Sequence, residues 1–95
     1  MGDQPSTVIS INLPKLNHAE ACKVAKSVLE SPRSTNVIID LSGTNDITTA
    51  AFAKFVLLQK QLSAIECNLI LSGLSGRVAA MYRVCKLERI LPVST

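Results

Sequence analysis

Apolar positions change period several times along this chain, and each change marks an element. In Thr7–Leu13 (TVISINL) they alternate, at Val8 or Ile9, then Ile11 and Leu13. A period of two predicts a strand, ended by Pro14. Asn17 with Glu20 three residues on approximates a capping box and opens a helix. Ala21, Val24, Ala25, Val28 and Leu29 form its apolar stripe, with Lys23, Lys26 and Glu30 opposite and Pro32 as its stop. Residues 31–36 read as a turn. Val37–Leu41 is a near-continuous β-branched run, the pattern of a strand covered on both faces. A polar loop then leads to Thr48 and Thr49 and a second helix. Its stripe of Ala51, Phe55, Leu58, Leu62 and Ile65 recurs every three to four residues, with Lys54, Lys60 and Gln61 facing away. Cys67–Ser72 predicts a third strand, Gly73 and Gly76 bracket a loop, and Val78, Met81, Tyr82 and Cys85 give a third helical stripe. Leu87, Ile90 and Leu91 form a closing turn before an edge strand at Pro92-Val93.

The predicted order is β-α-β-α-β-α with a short β tail. Strands separated by helices pair in parallel through crossovers. The expected fold is a small single α/β domain: a mostly parallel sheet of about four strands packed with three to four helices. The chain of 95 residues fills one domain, with residues 1–6 expected to be a flexible N-terminus. Its 47% hydrophobic content supplies one core, with only 3% aromatics.

Composition narrows the function by exclusion. No apolar run approaches the ~20 residues of a membrane span, and MGDQPST lacks a signal-peptide pattern. Cys22, Cys67 and Cys85 are odd in number and dispersed, which argues against a disulfide framework or a zinc site; they read as buried residues of a cytosolic protein. The net charge of +3 is mild. Arg77, Arg83, Lys86 and Arg89 form a small basic excess without a stacking platform for nucleic acid. His18 is the only histidine. It sits on the first turn of a helix, so no Ser-His-Asp or Cys-His set can be drawn. Asp40 and Asp46 read as solvent-facing acids without catalytic companions. Gly73-Leu74-Ser75-Gly76 is too short and plain for a phosphate loop and reads as a tight strand-to-helix turn. The chain is not expected to be an enzyme or to hold a cofactor or metal.

The remaining candidate is the pair Thr48 and Thr49. Thr is a favoured N-cap, and one of the two fills that role. The other hydroxyl is a candidate for modification. A phosphate there meets free backbone N–H groups and the helix dipole. Loops at the carboxyl ends of parallel strands lie together, so Gly73–Arg77 is expected beside Asn45–Thr49.

These segments resemble the STAS domain family, the domain of sulfate-transporter tails and bacterial anti-sigma factor antagonists. The resemblance covers about residues 7–94. Val37–Gly43 (VIIDLSG) resembles the strand into the family's signature loop, and Asp46–Phe52 (DITTAAF) stands in place of its D-S-S-G-L segment. Cys67–Gly76 and Val84–Val93 are similar to its third strand and leucine-rich closing turn, and Leu16–Ala21 to its helix start. In members that switch, the serine phosphorylated by an anti-sigma kinase falls on Thr49. The preceding aspartate falls on Thr48, the next serine on Ala50 and the glycine on Ala51, so the hydroxyl survives while acid and glycine do not. The missing glycine is expected to thicken the helix start where a partner approaches. Lys86 stands where the family has a glycine, and the short N-terminus leaves the family's first strand missing or truncated.

The resemblance implies a cytoplasmic bacterial regulator of the anti-sigma factor antagonist kind, which works by partner switching in transcription regulation. The partner, an anti-sigma-type serine/threonine kinase, is expected to touch Asp46, Ile47, Thr48, Thr49, Ala50, Phe52, Lys54, Ser75, Gly76 and Arg77. Phosphorylation is expected on Thr49, with Thr48 as the lesser candidate. The alternative is a constitutive STAS subunit of a bacterial lipid-transport ABC complex, bound to the transporter ATPase. Neither reading involves nucleic acid or direct membrane insertion.

Overall fold

In a computed structural model, which describes residues 6–30 and 36–94, the helices follow the apolar stripes and the strands the short β-branched runs. The elements are β1 (Ser6–Ser10), β2 (Lys15–Leu16), α1 (His18–Glu30), β3 (Asn36–Asp40), β4 (Asp46–Ile47), α2 (Thr49–Ser63), β5 (Asn68–Ser72), α3 (Gly76–Val84), a 3-10 turn (Leu87–Arg89) and β6 (Val93–Ser94). The expected stop at Pro32, the turn after α1 and the expected flexibility of the first residues fall on residues outside the described set, apart from Ser6, which begins β1, and Asn36, which begins β3.

β1, β3, β5 and β6 form one parallel sheet in that order, with Val8 opposite Ile38 and Ile38 opposite Ile70. The strand order never reverses. A parallel sheet wound in one direction with one crossover hand keeps all its helices on one face. Burial follows that rule: Val37, Ile39, Leu69 and Leu71 are in the core with Phe52, Phe55, Leu58 and Val78. Asn36, Ile38 and Asp40 alternate with them and are only half-buried. The continuous run Val37–Leu41 therefore does not mark a strand covered on both faces. It is covered on one, and Ile38 is apolar on the other.

A second, two-residue parallel pair joins β2 to β4, Lys15 opposite Asp46 and Leu16 opposite Ile47. Strands this short have no periodicity, so the sequence reads Lys15–Leu16 as the approach to the first helix and Asp46-Ile47 as loop. Pro14 contributes only a carbonyl, and that carbonyl accepts the N–H groups of Asn45 and Asp46 at 2.8 and 3.0 Å. β1 ends at Ser10, short of the predicted Leu13, so Pro14 does not end the first strand but helps hold the second pair.

Two stripe ends differ from expectation. Ile65 is exposed because α2 stops at Ser63. Glu66 then takes a left-handed φ of 59°, with its N–H bonded to the Ser63 carbonyl and that of Cys67 to the Leu62 carbonyl, the hydrogen-bond pair of a Schellman ending. Leu29, in the last turn of α1, and Ile90 are also exposed. Of the cysteines only Cys67 is fully buried, Cys22 and Cys85 being half-buried; all three are free thiols.

Candidate functional site at the start of the second helix

The β2–β4 pair sets where two helices begin. Each of its strands runs directly into a helix cap. At α1, Asn17 Oδ1 accepts the Glu20 N–H at 2.9 Å, one arm of the expected capping box. The Glu20 carboxylate turns instead to Lys23, 3.4 Å away. At α2, Thr48 is extended (φ −86°, ψ 156°) and its Oγ1 accepts the Ala51 N–H at 3.1 Å. The Thr48 N–H bonds the Leu16 carbonyl at 3.0 Å, so the two caps lie side by side. Both helices thus direct their positive ends to one place.

This geometry separates the two threonines. Thr48 is the cap, half-buried, with its hydroxyl committed. Thr49 is the first helical residue and exposed, as is Ala50. Ala51, in the place of the family's glycine, is fully buried against the core. Its methyl lies under the helix and does not thicken the outer surface, contrary to the sequence expectation.

The other expected contact residues divide by burial. Ser75, Gly76 and Arg77 are exposed, and Asp46 and Lys54 are half-buried. Ile47 and Phe52 are 2% and 1% exposed. These two are corrected to support from beneath: the Phe52 ring packs tilted against Tyr82 at 6.3 Å between centroids. The loop expected beside Asn45–Thr49 is there, because α3 packs on β4. Ser75 takes the cap position of α3 without a side-chain cap bond, which leaves its hydroxyl outward. The Asp46 carboxylate accepts its neighbour Ile47's N–H at 3.0 Å and stiffens the turn into the cap.

Sequence reading passed over two contributors. One is Asn17, whose cap lies next to that of Thr48. The other is the outer face of α2, where Ala50, Ala53 and Leu57 are exposed. Their spacing is a second helical stripe, but small residues opposite a strong core stripe give a faint signal. His18 is exposed, with Cys22 Sγ at 3.6 Å from its ring. Among the described residues no group of three or more His, Cys, Asp or Glu is placed to hold a metal ion, and no helix is long and apolar enough to cross a membrane.

A parallel sheet with its helices on one face and an exposed threonine at the start of its second helix define a small α/β domain. The STAS domain family model matches residues 4–95, and the chain belongs to that family. The fold is similar to that of a sulfate transporter family protein from Wolinella succinogenes, with a TM-score of 0.77 at 19% identity. The match covers 93% of this chain and 75% of that one. Comparison with curated proteins gives no match.

Proposed function

We propose that this STAS domain is a protein-binding regulator. Its partner docks on Thr49, Ala50, Lys54 and Ser75–Arg77, and phosphorylation of Thr49 releases that partner. The observation that carries the reading is the division of labour between the threonines: Thr48 Oγ1 holds the cap, and the Thr49 hydroxyl stands outside at the first helical position. A kinase can reach that hydroxyl without breaking the helix start.

The electrostatics give the switch a definite character. A phosphate on Thr49 brings close to two negative charges to two adjacent helix N-termini, where they are favoured. Phosphorylation should stabilise α2, so release comes from charge and desolvation at the docking face and not from unfolding. The test is a pull-down and calorimetric titration with the partner co-isolated from the host, an anti-sigma-type kinase on this reading. Thr49→Asp should abolish binding while leaving the melting temperature equal or higher, and Thr49→Ala should bind. Equal binding by both variants would defeat the switch.

A second reading is supported by the Ala50–Ala53–Leu57 face, which is apolar, exposed and continuous with Thr49. Such a face suits permanent assembly, as in a constitutive subunit bound to a transporter ATPase. On that reading Leu57→Lys weakens assembly as strongly as any change at Thr49, and no phosphorylated pool is found by intact-mass spectrometry of the native protein.

A further inference from the structure

All-parallel sheets are ordinarily covered on both faces. Here the face away from the helices has no cover among the described residues. Its centre is an apolar row in register across three strands, Val8, Ile38 and Ile70. Val8 is 61% exposed, and neither Ile38 nor Ile70 belongs to the core cluster or packs against it. On one side of this row lie two amides, Asn36 and Asn68, joined by a 3.3 Å hydrogen bond from Asn68 Nδ2 to Asn36 Oδ1. On the other side lie Ser10, Asp40 and Ser72.

The pattern is donor, apolar, acceptor along the strand direction. Asn36 Oδ1 is taken by Asn68, which leaves its Nδ2 to donate. Asp40 Oδ1 accepts the Ser42 N–H at 3.0 Å, which leaves Oδ2 to accept. Such a face is complementary to itself under one symmetry operation only. A two-fold axis along the strands sets Asp40 over Asp40 of the other copy, near the centre, and repels. A two-fold axis across the strands, along the row Val8–Ile38–Ile70, reverses strand direction between copies. It stacks Ile38 on Ile38 and Ile70 on Ile70, and sets Asn36 opposite Asp40 and Asn68 opposite Ser72, each pair occurring twice.

We propose that this open sheet face pairs with the same face of a second copy of this chain, about that cross-strand two-fold axis. Three strands of five residues offer a few hundred Å² per copy, well under the roughly 800 Å² per partner of a stable interface. The dimer is therefore weak and reversible. The face is opposite the helices, so dimerisation leaves Thr49 free.

Sedimentation equilibrium from low micromolar to about 1 mM tests the pairing, a range suited to a weak dimer. Asn36→Asp keeps the acceptor for Asn68 but faces Asp40 of the other copy, and should weaken association at least about tenfold, less so at high salt. Asn36→Lys should tighten it several-fold at low salt, since the new cation meets that same Asp40. Circular dichroism and melting of the monomers should show both variants folded. Amide shifts on dilution should fall on Val8, Ile38 and Ile70. A chain that stays monomeric at the highest concentration overturns the proposal, including one whose open face is protected by a different protein. So does a dimer whose constant ignores both Asn36 variants, or one whose dilution shifts fall on α2 or α3.

Discussion

Thr44 is buried to 1% exposure, and its Oγ1 meets no hydrogen-bond partner among the described residues. A hydroxyl in that position has lost water without compensation. Thr44→Val keeps the shape and removes the unmet group. It should stabilise the fold by about 1 kcal/mol, read as a higher urea midpoint at unchanged m-value. Gly73 is the opposite case, a position with no latitude. Its φ is +71°, and an added Cβ falls 2.5 Å from Asp40 Oδ1 and 2.7 Å from the Ser42 backbone nitrogen. Gly76 shares the positive φ, at +54°, but nothing lies within 4 Å of its Cβ position. Gly73→Ala should therefore cost well over 2 kcal/mol and Gly76→Ala only about 1, the cost of the left-handed backbone by itself. Comparable losses in thermal melts would show that the crowding at Gly73 relaxes. The sequence names both glycines as loop residues. Only the approach of Asp40 and Ser42, from more than thirty residues away, distinguishes them.

Two helices end on residues poorly suited to the conformation they hold. Lys86 follows α3 with φ 54° and ψ 47°, and Glu66 follows α2 with φ 59°. The resemblance flags Lys86 as standing at a glycine position, and its backbone is indeed left-handed. Lys86→Gly and Glu66→Gly should each add about 1 kcal/mol, less the extra freedom glycine gives the unfolded chain. Additive gains in the double variant would show that the two sites do not couple. Melting of the single and double variants checks this, and a loss of stability in either would mean that its side chain makes a contact worth more than the strain. At this scale the long periodic elements were legible. α1, α2 and α3 follow their stripes, and both N-caps fall on residues the sequence offers. The β2–β4 pair was not legible, because two residues carry no period and its hydrogen bonds depend on chain brought from elsewhere.

Across the whole domain, a few polar ties join one element to another. Tyr82 donates its hydroxyl to the Leu91 carbonyl, which fixes α3 to the terminal turn. Gln59 links α2 to β5 by accepting the Leu69 N–H at 2.9 Å, and reaches the Ile90 carbonyl at 3.4 Å. Burial, and then the nearby Glu88 carboxylate, raise the Tyr82 pKa above its usual 10.0; burial raises that of Cys67 above 9.0, partly offset by a hydrogen bond to the Asn68 backbone. Both groups are neutral when protonated, and the native state holds those protons more tightly than the unfolded chain. Their contribution is thus complete below the unfolded values and is lost as pH rises through the raised folded ones. Stability should be level near neutrality on their account and fall on the alkaline side, beginning around pH 9. Tyr82→Phe should cost about 1–3 kcal/mol at neutral pH by leaving a buried carbonyl unpaired, and should flatten the alkaline limb. Urea titrations at a series of pH values measure both effects.

The sequence by itself determined the order of the long strands and helices, the helix stripes, the Asn17 cap and the segment that carries the candidate hydroxyls. Each is written in local periodicity or in the chemistry of one or two neighbouring residues. It did not determine which threonine caps α2, because either could until the Thr48 N–H was bound to Leu16. Nor did it determine that Ile47 and Phe52 lie beneath the proposed docking face, since an apolar residue beside a helix start can point either way. The open sheet face also belongs to the tertiary structure alone. Val37–Leu41 looks the same whether one or two faces are covered, and the answer depends on strand order, which is set only when β1, β3, β5 and β6 line up without a reversal.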